Sequence, residues 1–188
     1  MIQKQALESV IMGIDPGTNV LGYGAIRVVG QKISLVGMGV VRMEKLTNQQ
    51  LKLKTIFSRV LELIDEYKPD ELAIEAPFFG KNVQSMLKLG RAQGVAMAAA
   101  LYRNIPVIEY SPRKIKQSIT GNGSCSKEQV AYMIKNMLHL EESPKFLDAT
   151  DAIGVAICHH FQAKGLGTQE KHTGWDAYLK NNPDKLAK

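Results

Sequence analysis

Polar and apolar residues alternate along the first part of the chain and then change to a helical period. Alternation is clearest in Ser34–Met38, and it predicts three consecutive strands, at 9–14, 21–29 and 32–43. Apolar residues at three- and four-residue spacing then predict a helix from Leu53 to Tyr67, which Pro69 ends. The apolar run at 71–75 predicts a fourth strand. The first half of the chain is therefore a three-stranded meander followed by a helix and one more strand.

The second half is mainly helical. A long helix is predicted at 82–103 and a fifth strand at 105–110. Ser111 and Pro112 suit the N-cap and first position of a helix. Ser126 opens a further helix, with Gln129 completing a capping box. A last helix is predicted from about Asp148 to Gln162. This order of elements predicts an α/β sheet with helices on its faces.

The composition favours one globular domain. With 188 residues and 45% apolar content, we expect a full core in residues 1–163 and a polar, flexible tail in 164–188. Cys125 and Cys158 lack metal-ligand spacing and do not suggest a disulfide scaffold. The longest apolar stretch, 95–101, is too short to span a bilayer, and no early segment resembles a signal peptide. We therefore expect a cytoplasmic protein with no membrane partner.

Positive charge is concentrated in the middle of the chain. The net charge is +6, with a pI near 9.3. Between Ala76 and Lys127 there are eight basic residues and one acid, Glu109. Such segregation is expected of a protein that binds a polyanion such as nucleic acid. A solvated basic face would look the same, so charge alone leaves both interpretations open.

Four carboxylates lie where predicted strands end or a helix begins. Asp15 follows the apolar run 10–14, and Glu75 follows Leu72-Ala73-Ile74. Asp148 and Asp151 are three residues apart and therefore share one face of a helical turn. Gathering such acids is costly unless a cation compensates them, and hard divalent cations prefer oxygen ligands. A pair of such ions beside a phosphodiester would make a nuclease.

Each acid also has a simpler interpretation. Asp15-Pro16-Gly17-Thr18 has good turn chemistry, and it also resembles the phosphate-binding loop of two-lobed ATP-binding proteins. The chain is too short to form the two lobes that such proteins need. Glu75 could be an ordinary surface residue, and Asp148 and Asp151 could only cap a helix. The acids become persuasive as metal ligands when they are taken together.

The acidic motifs carry a resemblance to a known family. Gly13-Ile14-Asp15-Pro16-Gly17-Thr18, Ile74-Glu75 and Asp148-Ala149-Thr150-Asp151 occur in the same order in the RuvC family of bacterial Holliday junction resolvases, which this chain resembles from about Ser9 to Phe161. The resemblance implies a ribonuclease H-like fold, with a mixed five-stranded sheet and helices on both faces. Gly90, Gly94 and Ala98 lie four residues apart on the long helix and permit close contact, which in the simpler interpretation is contact with the chain's own sheet. The resemblance implies instead that part of this helix forms a homodimer interface.

The same resemblance implies an enzyme and its site. Asp15, Glu75, Asp148 and Asp151 would be the catalytic residues and would bind two Mg²⁺ ions, for which Mn²⁺ could substitute. Some members of the family have histidine at the position of Asp148. Paired symmetric nicks in a four-way DNA junction would leave a 5′ phosphate and a 3′ hydroxyl. Phe78 would stack on opened bases, with Phe79 as the less favoured alternative.

Lys116 and Lys127 match basic residues that the family has near its active site. The other expected DNA-binding residues belong to the basic middle of the chain and would contact phosphates, which positions the junction without reading sequence: Lys81, Lys88, Arg91, Arg113 and Lys114. The implied protein partners are the branch-migration helicase proteins RuvA and RuvB. The rival interpretation is a catalytically silent nucleic-acid-binding module with the same fold. Such a module would be expected to have lost one of the four acids, and this chain retains all four.

Overall fold

The structure, a computed structural model, describes residues 8–77, 82–140 and 147–165. Within these ranges the strands and helices occur in the order β1 (Glu8–Asp15), β2 (Val20–Val29), β3 (Lys32–Arg42), α1 (Gln49–Tyr67), β4 (Glu71–Glu75), α2 (Val83–Tyr102), β5 (Val107–Tyr110), α3 (Pro112–Thr120), α4 (Lys127–Met137) and α5 (Leu147–Gly165).

The strands form one mixed sheet in the order β3-β2-β1-β4-β5. The meander gives the antiparallel pairs β1–β2 and β2–β3, because short turns reverse the chain. The helical connections give the parallel pairs β1–β4 and β4–β5. The central strand β1 and its neighbour β4 run in the same direction, so their carboxyl ends lie side by side at one end of the strands.

Helices cover both faces of the sheet, as the resemblance implied. On one face, α1 and α2 pack on alternate strand residues such as Met12 and Ile14. On the other face, α3, α4 and α5 pack on residues of opposite parity, such as Ile11 and Ala73. Because successive strand residues point to opposite faces, each central strand contributes to both cores. The ribonuclease H-like α/β prediction is confirmed.

The element boundaries differ from the sequence prediction where local hydrogen bonds decide them. Helix α1 begins four residues before Leu53, because the Asn48 side chain accepts a hydrogen bond from the Gln50 N–H. Strand β5 begins two residues later than expected, because the Ile105 N–H bonds the Ala100 carbonyl at the end of α2, and Pro106 has no N–H. The capping box of Ser126 and Gln129 is present as predicted.

The last helix, α5, continues to Gly165, three residues beyond its predicted end and two residues into the predicted tail at 164–188. The rest of that segment lies outside the described residues, so its flexibility stays a prediction. Among the described residues, no helix combines the length and apolar character needed to cross a membrane.

Candidate active site

Two of the four acids come together through the strand pairing. In the parallel pair, Ile14 lies opposite Ile74, so the next residues, Asp15 and Glu75, are neighbours at the ends of β1 and β4. Side chains alternate between the two faces of a sheet, so both acids point to the same face as Ala73, which packs against α5. The two carboxylates therefore project toward the same helix, at the carboxyl ends of parallel strands where ligands commonly bind.

Helix α5 brings the other two acids to the carboxyl ends of β1 and β4, because the helix lies directly on the sheet. A Cβ at Gly13 would be 1.9 Å from the Ala152 carbonyl oxygen, and one at Gly22 would be 2.0 Å from the Asp148 carbonyl oxygen. Only glycine allows backbones to approach this closely. The two glycines thereby place the first turns of α5, and with them Asp148 and Asp151, over the ends of β1 and β4.

The acids form a cluster beside a small pocket. One carboxylate oxygen from each of Asp15, Asp148 and Asp151 lies within 4.8 Å of the other two. Glu75 is not one of these three, but it lines the same pocket as Asp15 and Asp151. Asp148 lies in the first turn of α5, one residue after the helix begins at Leu147, so it is placed to favour the helix dipole.

Crowding and burial change the acidity of the strand-end carboxylates. Burial raises the pKa of Asp15 to about 8, and repulsion from Glu75 and Asp151 contributes to this shift. Burial, followed by repulsion from Asp151, raises the pKa of Glu75 to about 7. Without a compensating cation, these acids therefore resist ionising together at neutral pH. Oxygen ligands gathered in this way fit a hard divalent cation such as Mg²⁺.

Two lysines bring positive charge to the pocket. Lys127 donates a hydrogen bond of 2.5 Å to Asp151 Oδ2. Burial opposes the charge of Lys127, but this bond and the charges of Asp151, Asp15 and Glu75 leave its pKa above the usual value. Lys116 Nζ donates to the Cys125 carbonyl oxygen at 2.6 Å. The lysines predicted near the acids are thus placed at the pocket, although their contact with DNA stays a prediction.

The pocket also has apolar walls that sequence reasoning did not single out. Pro112, Ile115 and Val130 line it together with the charged residues, and Ile115 and Val130 are buried. They belong to the apolar faces of α3 and α4, so helical periodicity predicts their burial. Their place beside the acids depends on how those helices pack against α5, which the sequence pattern does not give.

The other predicted DNA-binding residues are more widely distributed. Lys88 and Arg91 are exposed on α2, and Arg113 and Lys114 are exposed on α3. Phe78, Phe79 and Lys81 lie outside the described residues, so the predictions for them are untested.

One of the two adjacent histidines near the end of α5 has a structural role. His159 is buried between β4, β5 and α5, where its ring nitrogens lie 2.8 Å from the Tyr110 hydroxyl and 2.8 Å from Glu71 Oε2. Burial of a polar ring is tolerated when both nitrogens have partners. His159 therefore helps to hold α5 against the two parallel strands.

Comparison with known proteins agrees with this geometry. The sequence model of the family described as "Crossover junction endodeoxyribonuclease RuvC" matches residues 11–159. A protein with that name from Cytophaga hutchinsonii is 56% identical, with 99% of this chain and 94% of the relative covered. A solved structure of Thermus thermophilus RuvC in complex with a Holliday junction substrate is 34% identical, with a TM-score of 0.79 over 84% of this chain and 96% of the other.

A mixed sheet with helices on both faces and acids gathered beside α5 defines a ribonuclease H-like protein of the nuclease type. Both the family match and the sequence identity extend well beyond the acidic motifs, through the full set of strands and helices. The chain belongs to the RuvC family of crossover junction endodeoxyribonucleases.

Proposed function

We propose that this protein is a magnesium-dependent endonuclease that resolves four-way DNA junctions by paired symmetric nicks. The observation that carries the proposal is the cluster of Asp15, Asp148 and Asp151, whose oxygens lie within 4.8 Å of one another beside Glu75. Family membership supports the choice of junction DNA, since the Thermus relative was solved with that substrate.

The four acids would hold two Mg²⁺ ions, and Mn²⁺ would substitute. Bound metal would supply an activated water and stabilisation of charge on the phosphodiester, giving a 5′ phosphate and a 3′ hydroxyl. Lys116 and Lys127 add fixed positive charge at the pocket, where negative charge increases during hydrolysis. The apolar walls at Ile115 and Val130 limit water around these groups.

Junction DNA would be held mainly through its phosphates. The exposed residues Lys88, Arg91, Arg113 and Lys114 supply charge on α2 and α3, and phosphate contacts position DNA without reading sequence. Phe78, from the resemblance, and Lys81, from the basic middle of the chain, remain part of the proposal.

A homodimer would provide the two active sites that symmetric cutting needs. The exposed residues Val83, Leu87, Gly94 and Ala98 give α2 an apolar outer face in the described chain. Burying such a face against a second copy would be favourable. RuvA and RuvB remain the proposed proteins that deliver junctions.

The test separates chemistry from binding. Asp15→Asn, Glu75→Gln and Asp151→Asn each keep the side-chain shape but remove a charge that a divalent ion needs. With a labelled four-way junction and Mg²⁺, each variant should cut at least about a hundredfold more slowly, and double variants should lose little more. Affinity measured in Ca²⁺ should persist, since it comes mainly from phosphate contacts.

Asp65→Asn is the matched control, because Asp65 is an exposed acid on α1 that pairs with Arg103. It should cut like the wild type. Wild-type protein that binds junctions but never cuts them, with any divalent ion, would instead favour the catalytically silent module. A site variant that cuts at the wild-type rate would remove that residue from the site.

A further inference from the structure

Gln93 is a buried polar residue at the point where α2 first packs against the body of the protein. The helix residues before it include the exposed Val83, Leu87 and Arg91, whereas Ala92 and Gln93 are buried. The other buried residues of α2 are alanines, which need no hydrogen bonds from their side chains. A buried amide is costly without hydrogen-bond partners, so its contacts indicate why a glutamine is present.

The Gln93 amide nitrogen has two hydrogen-bond partners on the sheet. Nε2 donates to Glu109 Oε2 at 2.7 Å and to the main-chain oxygen of Glu75 at 3.4 Å. In the parallel pair β4–β5, Glu109 lies opposite Ile74, beside Glu75. Because Glu109 Oε2 accepts the shorter bond, it keeps the NH₂ group of Gln93 facing the strands. The weaker bond to Glu75 depends on that orientation.

We infer that Gln93 is a positioning residue that fixes the end of β4, and hence the Glu75 carboxylate, relative to α2. The inference rests on the proposed role of Glu75 as a metal ligand. Groups that hold a ligand residue in place commonly matter nearly as much as the ligand, and losing one costs about 10- to 100-fold in metal affinity or activity.

The test is the magnesium dependence of cleavage in Gln93→Leu, which keeps a side chain of similar size but loses both hydrogen bonds. The Mg²⁺ concentration for half-maximal cleavage should rise about tenfold, with a smaller loss of rate at saturating Mg²⁺. Junction affinity in EDTA should stay within about twofold, since phosphate contacts are unchanged. A merely structural role would lower the melting temperature and leave the magnesium dependence unchanged, which would overturn the inference.

Gln162→Leu is the matched control, because Gln162 Nε2 also donates from a partly buried position, to Ser118 Oγ at 3.1 Å. It should lose stability without any change in magnesium dependence. If Gln93→Leu does not fold, the double variant Gln93→Glu with Glu109→Gln replaces it. That exchange restores a side-chain hydrogen bond with its direction reversed, but residue 93 can no longer donate to the Glu75 carbonyl. Wild-type magnesium dependence in the exchanged variant would overturn the inference.

Glu75→Gln, measured alongside, separates this inference from the proposed function. If Glu75→Gln cuts like the wild type, the proposed metal role of Glu75 fails, and the inference about Gln93 fails with it. If Glu75→Gln is inactive while Gln93→Leu keeps the wild-type magnesium dependence, only the inference about Gln93 is overturned. Loss in Glu75→Gln together with a raised magnesium requirement in Gln93→Leu supports both.

Discussion

Glycines in two regions of this protein serve opposite structural needs. Where α5 lies on the sheet, a Cβ at Gly13 or Gly22 would come within about 2 Å of a backbone oxygen of the helix. On α2, a Cβ at Gly90 or Gly94 would meet nothing within 4 Å. The first pair is required by the packing of the chain on itself, whereas nothing in the described chain requires the second pair.

The difference shows where to look for a partner. Glycine in a helix interior is unfavourable by about 1 kcal/mol relative to alanine, so Gly90 and Gly94 reduce the stability of α2 in an isolated chain. The proposed homodimer gives a reason for this cost, since small residues let another surface approach closely. The glycines under α5 instead secure the acids of the candidate active site within one chain.

Matched alanine substitutions should separate the two regions most clearly. Gly13→Ala forces α5 away from the sheet, because the new Cβ would overlap the Ala152 carbonyl. We expect a loss of about 3 kcal/mol or more, together with loss of cleavage. Gly94→Ala adds a methyl group in open space and should stabilise the isolated chain by up to about 1 kcal/mol. Thermal unfolding at low protein concentration measures both, and equal signs would contradict the comparison.

The clustering of the strand-end acids could be predicted from the sequence, because short apolar runs mark where the strands end. Asp15 and Glu75 directly follow short apolar runs, and the parallel pairing that such runs favour places them side by side. The roles of Asp148 and Asp151 depended on the family resemblance, since Asp-x-x-Asp also suits a helix start. The ion pair of Lys127 with Asp151, and the bonds of Gln93 to Glu75 and Glu109, could not be predicted, because they depend on how separate helices pack.

The second prediction tests the α2 region directly. Gly94→Leu should leave the chain folded, because there is open space around this position, but it should obstruct a second copy. We expect dimer dissociation to increase on the order of a hundredfold in analytical ultracentrifugation, the scale of a central interface substitution. Ser58→Leu, which adds a leucine at an exposed position on α1, should leave the dimer intact. An unchanged dimer in Gly94→Leu would show that this face is not the interface.

The third prediction concerns the exposed basic residues of α3, Arg113 and Lys114, rather than either group of glycines. Arg113→Ala combined with Lys114→Ala should weaken binding to all junctions about equally and should reduce the slope of log affinity against log salt by about two. The control is Lys54→Ala combined with Arg59→Ala on α1, outside the basic middle of the chain. An unchanged salt slope in the first variant would remove α3 from the DNA-binding surface.

The last prediction is a pH dependence that belongs to the acid region alone. The pKa values of Asp15 and Glu75 are raised to about 8 and about 7 from ordinary values near 4. The folded state therefore binds more protons than the unfolded state between about pH 4 and pH 8, so these two groups make stability fall as pH rises through that window. A divalent ion favours the charged carboxylates and should oppose this loss.

In EDTA, the melting temperature should therefore decrease between pH 5 and pH 8, and Asp15→Asn should flatten that decrease. Added Mg²⁺ should raise the melting temperature more at pH 8 than at pH 5, because fewer protons must then be displaced. Asp65→Asn should keep the wild-type slope, since the hydrogen bond from Arg103 lowers the pKa of Asp65 from an ordinary value that already lies below this range. A magnesium shift of equal size at both pH values would show that the metal does not bind at the acids whose pKa values are raised.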